Sequence, residues 1–166
     1  EMSASLVGSE MCIRDSNGTD IYTQYGAFLA EKEEDGNDNY DSLLQFPGLK
    51  EQPKVSLQDE DGERTPDVVA QAYEARDITL QFAIAAPDAR TFLTRYFAFM
   101  RFLKEGDDGW LTLRLTDVGL QFRVYMVSSP GYSQLVPFGR GEVAASFTVK
   151  FHEPQPALEL APQPDE

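Results

Sequence analysis

Residues 74–116 read EARDITLQFAIAAPDARTFLTRYFAFMRFLKEGDDGWLTLRLT, and this stretch decides the fold. Apolar residues alternate with small or polar ones from Ile78 to Ala85, which is the period of a strand with one buried face. They then recur at helical spacing from Phe92 to Leu103, and Gly106 supplies a helix end. Alternation returns from Leu111 to Thr116. The helix therefore bridges two strands and is predicted to lay its apolar stripe on their sheet.

Two further strands are predicted after this unit. Alternating residues over 120–127 and 143–151 favour strands, the first of them reached by a hairpin at Asp117-Val118-Gly119. The sequence Ser129-Pro130-Gly131 is expected to stop the first strand. Residues 132–141 then form a predicted loop, whose exposed apolar side chains are Leu135, Val136 and Phe138.

The chain before residue 74 is less regular. Residues 21–30 predict a short strand, and residues 31–41, EKEEDGNDNYD, predict a solvated loop. A long excursion follows to Pro66, with a short edge strand at Val55–Leu57, and its length favours a protruding arm or hairpin. The predicted class is α+β, an antiparallel β-sandwich with one helix packed across it and this arm.

Length and charge limit the classes of function that the chain could have. The chain has 166 residues, 42% of them hydrophobic, which is enough for one domain with a full core. We expect that domain at residues 17–154 and a proline-rich tail at residues 155–166. The net charge of −14 and the scattered Lys and Arg residues argue against nucleic-acid binding. No stretch approaches the roughly 20 apolar residues that a membrane span requires.

Residues 6–16, LVGSEMCIRDS, resemble a translated sequencing adapter, the transposon end used to prepare DNA libraries. A segment of that origin is excluded from fold reasoning, so residues 1–16 are expected to be an artefactual or disordered N-terminal segment. The alternative is a short natural extension. The single cysteine, Cys12, lies within this segment, and the remainder of the chain therefore offers neither disulfides nor thiolate chemistry.

The patterns that could carry chemistry are incomplete. Asp35, Asn37, Asn39 and Asp41 alternate as in a calcium loop, but the glycine and the distal glutamate of such a loop are missing, which favours a solvated turn. His152 is the single histidine, and no Gly-x-Ser-x-Gly turn or second histidine supports it. The sequence predicts no catalytic residue, no cofactor, no metal ligand and no enzyme.

Several short motifs, in their order, resemble one family. The segments NGTDIYTQYG (17–26), LLQFP (43–47), EDG (60–62) and RDITL (76–80) are similar to distal tail proteins of long-tailed phages and prophages, to which tail tube proteins are related in fold. The resemblance extends over nearly all of residues 17–154. It implies a β-sandwich with one helix, whose arm completes a neighbouring copy, and six copies that close into a ring between the tail tube and the host-binding machinery. Because the chain ends soon after Pro154, no second, carbohydrate-binding-like domain is expected.

The expected function is that of a non-enzymatic, ring-forming distal tail or baseplate subunit, made in the bacterial host cytoplasm and located in the virion tail. Its expected partners are further copies of itself, as a hexamer, and other tail proteins, with Leu135, Val136 and Phe138 as candidate subunit contacts. The alternatives are a tail tube subunit and a secreted β-sandwich module that binds carbohydrate or protein, in which Tyr132 and Phe138 would stack on a sugar. In a ring, acidic side chains on an outward sheet face would let DNA pass without binding.

Overall fold

The computed structural model describes residues 11–14, 21–30, 38–115, 119–139 and 141–156. Its strands are β1 (Met11–Arg14), β2 (Ala27–Leu29), β3 (Arg76–Ala86), β4 (Leu111–Leu115), β5 (Leu120–Val136) and β6 (Val143–Glu153). Its helices are α1 (Ile21–Tyr25), α2 (Asp38–Leu44) and α3 (Ala89–Glu105). The six strands form one sheet in the order β1-β4-β5-β6-β3-β2, and each strand pairs antiparallel with its neighbours. The α+β class is confirmed, whereas the two-sheet sandwich stays a prediction.

The core lies between α3 and the central strands β3 and β6. These strands pair along their full length, from Arg76 opposite Glu153 to Ala86 opposite Val143. The helix lays Phe99 on them, with ring centroids 5.5 Å from Phe82 and 5.9 Å from Phe147. Each fully buried phenylalanine stabilises the fold by about 1.5–3 kcal/mol. The prediction that the helix lays its apolar stripe on the sheet is thus confirmed, but the strands beneath it are β3 and β6 rather than its two neighbours in sequence, β3 and β4.

The ends of α3 follow from two local signals. Asp88 is the N-cap, and its Oδ1 accepts a hydrogen bond of 2.8 Å from the backbone N–H of Thr91. Gly106 is the C-cap at a φ of 46°, and its N–H donates to the carbonyl oxygen of Phe102. A positive φ is reached by glycine without the steric penalty that a Cβ brings. No helix in the described part of the chain is long and apolar enough to cross a membrane.

β5 differs from its prediction. It continues through Pro130 to Val136, so the predicted stop at residues 129–131 and the loop over residues 132–136 are wrong. The register with β6 shifts between Ser128 and Gly131, which marks a bulge or irregularity. A bulge admits proline because the residue there need not donate to the ladder.

The N-terminal predictions were wrong in two places. Residues 21–25 form α1 rather than a strand, because Tyr25 packs its ring on Phe99 and Phe102 of α3. Gly26, at a φ of 65°, then redirects the chain into β2. Part of the predicted loop forms α2, while residues 31–37 lie outside the described residues.

β1 lies within the segment that resembles an adapter. Its residues Met11–Arg14 pair antiparallel with residues 112–115 of β4, so this part of residues 1–16 has regular structure. Main-chain hydrogen bonds to an edge strand require no particular side chains, and a segment of any origin can form them. The adapter origin stays a prediction. Of the predicted tail, residues 157–166 lie outside the described residues.

Candidate assembly interface

The excursion between α2 and β3 is an antiparallel hairpin, which we call the arm (residues 48–74). At its base the N–H of Glu74 donates to the carbonyl oxygen of Gly48 at 2.8 Å. Further out, Val55 and Arg64 exchange two backbone hydrogen bonds of 2.9 and 2.7 Å. A hairpin is present, but it continues beyond the expected end at Pro66 to residue 74, and the expected strand at Val55–Leu57 is reduced to this single bridge.

The arm places apolar side chains in water. Val68 is 79% exposed, and its neighbour Val69 is also exposed. The other exposed apolar residues of the arm and its base are Phe46, Leu49, Val55, Leu57 and Tyr73. Apolar exposure of this extent along one protruding element is typical of surfaces that contact a partner.

Four carboxylates lie at the far end of the arm, and we call Asp59, Glu60, Asp61 and Glu63 the acidic tip; all are exposed. Glu60 pairs with Arg64, and Glu63 lies 4.0 Å from Nζ of Lys54. Within the described part of the chain, Asp59 and Asp61 form no ion pair. The tip is therefore tied only to the arm itself and carries uncompensated negative charge.

A second apolar surface lies where α3 meets the end of β5, formed by Leu93, Phe97, Tyr132 and Phe138, all exposed. Phe97 is 58% exposed. Tyr96 joins the two elements, because its ring lies 5.6 Å from that of Tyr132 and 5.9 Å from that of Phe97. Burial raises the pKa of Tyr96 above its ordinary value.

The structure places the three predicted contact residues in different settings. Leu135 is exposed on β5, whereas Val136 is half-buried and pairs with Ala144. Phe138 lies beyond the strand and is 49% exposed, and its ring forms a T-shaped pair with that of buried Phe92, the centroids 5.8 Å apart. Their role as subunit contacts stays a prediction.

The sheet face opposite α3 carries a continuous series of cations and aromatic rings. The guanidinium of Arg123 lies 4.7 Å above the ring of Trp110. Trp110 meets the ring of Tyr125 edge-on at 5.5 Å, and Tyr125 lies 5.3 Å from the ring of His152. These contacts join β5, β6 and the start of β4 on one surface.

His152 continues the series to β3. Its Nδ1 lies 2.8 Å from Oδ1 of Asp77, and Nζ of Lys150 lies 3.4 Å from Oδ2 of the same carboxylate. The hydrogen bond from His152, together with that from Lys150, holds the pKa of Asp77 below its ordinary value. His152 is thus paired with Asp77 of the neighbouring strand.

We call this surface the basic face and define it by Arg114, Arg123, Lys150 and His152, with Trp110 and Tyr125. Alternation along the strands places the cations opposite buried Leu113, Phe122 and Val149. Among the described side chains of this face in β3 to β6, Asp77 is the single carboxylate. This sheet face is therefore basic rather than acidic, and the acidic lining expected for a ring stays a prediction.

Asn39, part of the calcium-like pattern, has a structural role instead. It is buried, its Oδ1 accepts the N–H of Gln81 at 2.7 Å, and its Nδ2 donates to the carbonyl oxygen of Ala30 at 2.8 Å. Asp35 and Asn37 lie outside the described residues. Among the described residues, no group of three or more His, Cys, Asp or Glu side chains could hold a metal ion.

No family model matches the sequence, and no curated protein is similar enough to match it. Among solved structures with a similar fold is the Dit protein of phage SPP1, described as a paradigm of the hub adsorption apparatus in phages that infect Gram-positive bacteria. The TM-score is 0.51 at 14% identity, over 86% of this chain and 49% of that protein. This chain therefore spans about half the length of SPP1 Dit. At this identity the likeness shows a shared fold, which is that of a phage hub protein.

Proposed function

We propose that this chain is a non-enzymatic structural subunit of the tail of a long-tailed phage or prophage, of the distal tail or baseplate type. The fold that it shares with SPP1 Dit supports this function. The single observation that carries the proposal is the arm, a hairpin that exposes apolar side chains along its length.

The contacts within the arm are too few to make this hairpin stable by themselves. Its paired backbone groups are few and its side chains lie mostly in water, whereas an isolated two-stranded hairpin is at best marginally stable. Contact with another protein surface would bury Val68, Val69 and Val55 and order the hairpin. A neighbouring copy of the same chain is the partner that a tail assembly supplies.

Repeated from copy to copy, such a contact builds either a ring or an open filament. The arm of one copy would lie on a different surface of the next, and a head-to-tail contact of this kind gives a ring if the rotation closes. We propose six copies in the ring, a two-sheet sandwich as the fold of each copy, and other tail proteins as partners above and below. Leu135, Val136 and Phe138 are proposed to contribute to the contact between copies. The chain would be made in the host cytoplasm and reside in the virion tail.

The carbohydrate-binding alternative finds less support. One face of the Trp110 ring is covered by Arg123, and the rings of Phe138 and Phe92 form a T-shaped pair. The hydroxyl of Tyr132 donates to Oε1 of Gln134 at 2.6 Å. Each of these aromatic side chains thus has a contact within the chain, which favours a packing role over a sugar platform.

Sedimentation velocity of a Val68→Asp, Val69→Asp variant tests the proposal. Both side chains are exposed, so the monomer should keep its circular dichroism spectrum while the oligomer is lost. Leu44→Asp, a change at an exposed position of α2 outside residues 48–74, is the control and should assemble like the wild type. An arm variant that sediments like the wild type would overturn the role of the arm.

A further inference from the structure

We infer that the basic face receives the acidic tip of the arm of a second copy. This inference rests on the proposed function, because it names the surface on which the arm of a neighbouring copy ends. The partner is thus a second copy of this chain, recognised by its carboxylates.

The basic face carries charge that its own residues do not neutralise. Lys150 and His152 share one carboxylate, that of Asp77. Among the described residues, Arg123 and Arg114 form no ion pair. Three permanent cations therefore face one carboxylate, in a chain whose formal net charge is −14.

The basic face is also held in place before any partner binds. Stacking on Trp110 fixes the guanidinium of Arg123, and the bridge to Asp77 fixes the ammonium group of Lys150. Cations that are already ordered lose little conformational entropy when a carboxylate binds. The surface is suited to specific pairing with anions.

The acidic tip offers the complementary charge. Asp59 and Asp61 are the tip residues without an ion pair in the described part of the chain, and both are exposed. Val55 comes seven residues after Gly48 at the base, which an extended chain spans in up to about 25 Å, and the tip lies beyond Val55. The ion pairs of the acidic tip are with Lys54 and Arg64 of the same arm, so these pairs do not tie the tip to the sheet of its own copy.

Charge also favours a second copy over a nucleic acid as the occupant. A phosphate polymer would approach a strongly acidic chain and be repelled by most of its surface. The acidic tip instead places a few carboxylates at one point, at the end of a narrow hairpin. Because tip and basic face lie at different places on the chain, their contact is head-to-tail.

Charge reversal on each side tests the pairing. One full-length variant carries Arg123→Glu and Lys150→Glu, and the other carries Asp59→Lys and Asp61→Lys. Each alone should associate at least about tenfold more weakly than the wild type in sedimentation velocity, because like charges would meet at the contact. An equimolar mixture should assemble again, since each acidic tip would meet a basic face and each basic tip a reversed face. Added salt should weaken the wild-type association.

A neutral pair of changes, Arg123→Gln and Lys150→Gln, keeps the test decisive if the reversed face fails to fold. It should also weaken association, while circular dichroism shows the native spectrum. If the variants assemble like the wild type, the inference is overturned and the proposed function stands. If the wild type never associates, both are overturned. Binding of a labelled single-stranded oligonucleotide that is lost in the face variant, with assembly unchanged, would assign the basic face to nucleic acid and overturn the inference.

Discussion

Arg76 and Glu153, which begin β3 and end β6, form a buried ion pair with 3.4 Å between Nη2 and Oε2. Arg76 also donates from Nη1 to the carbonyl oxygen of Gln45 at 2.5 Å, and its guanidinium lies 5.3 Å above the ring of Phe122. Gln45 follows α2 and Phe122 lies in β5. Arg76 of β3 therefore contacts β6, β5 and the residue that follows α2, beside the base of the arm.

Removing one partner of this pair should be strongly destabilising. Arg76→Ala removes this cation from beside the buried Glu153 carboxylate, and we expect the free energy of unfolding to fall by about 3–5 kcal/mol. The double variant Arg76→Met, Glu153→Leu should lose less than either single alanine variant, because it leaves no buried charge. Urea denaturation measures both. A loss below about 1 kcal/mol for Arg76→Ala would show that the pair contributes little.

Asn39 completes the backbone hydrogen bonding of β3 where β2 ends. Asn39→Ala removes the acceptor for the N–H of Gln81 and should lower the free energy of unfolding by about 2–3 kcal/mol, since the backbone groups it satisfies become unpaired. Ser42→Ala is the matched control, because its Oγ accepts the N–H of Thr79 at 2.8 Å at an exposed site where water can replace it. It should lose about 1 kcal/mol or less. Equal losses in the two variants would contradict this role of Asn39.

Asp77 should make the free energy of unfolding depend on pH under acidic conditions. Its pKa is depressed in the folded state by His152 and Lys150, so its contribution is present above the ordinary value of 3.8 and is lost as the pH falls through the lower folded pKa. Asp77→Asn should therefore flatten the fall of stability below about pH 4, by less than about 1 kcal/mol because the site is half exposed. Asp61→Asn, at the acidic tip, is the control. Unfolding midpoints across this pH range that change equally in both variants would refute the prediction.

Deleting residues 1–16 tests the origin of the N-terminal segment. We expect the melting temperature to be unchanged or higher, because β1 adds only an edge strand to β4 and water can replace its main-chain hydrogen bonds. Differential scanning fluorimetry of both proteins measures this. A drop of several degrees would show that the segment is a genuine part of the fold.

The central part of the fold could be predicted because local pattern and tertiary structure agree there. Ile78 to Ala85 alternate and Phe92 to Leu103 follow helical spacing, and each pattern buries the same face that the sheet requires. The passage of β5 through Pro130 could not be predicted, since it depends on a bulge formed against β6. The helical conformation of residues 21–25 likewise depends on Phe99 and Phe102, which are distant in sequence.

The candidate interface was predicted only in part. The length of the arm indicated a hairpin, but the basic face has no signal in the sequence, because Trp110, Arg123 and Lys150 come together only through strand pairing. Asn39 lies in a polar run that looks solvated, and its burial follows from the contact of α2 with β3. Cationic residues that are scattered in the sequence thus lie on one surface of the folded chain.

Native mass spectrometry of the full-length chain, over a series of increasing concentrations, tests the proposed function most directly. A ring-forming tail subunit should give one discrete species of six copies that grows at the expense of the monomer, and Val68→Asp, Val69→Asp should abolish it. A wild type that remains monomeric at every concentration would contradict the assembly function on which this account rests.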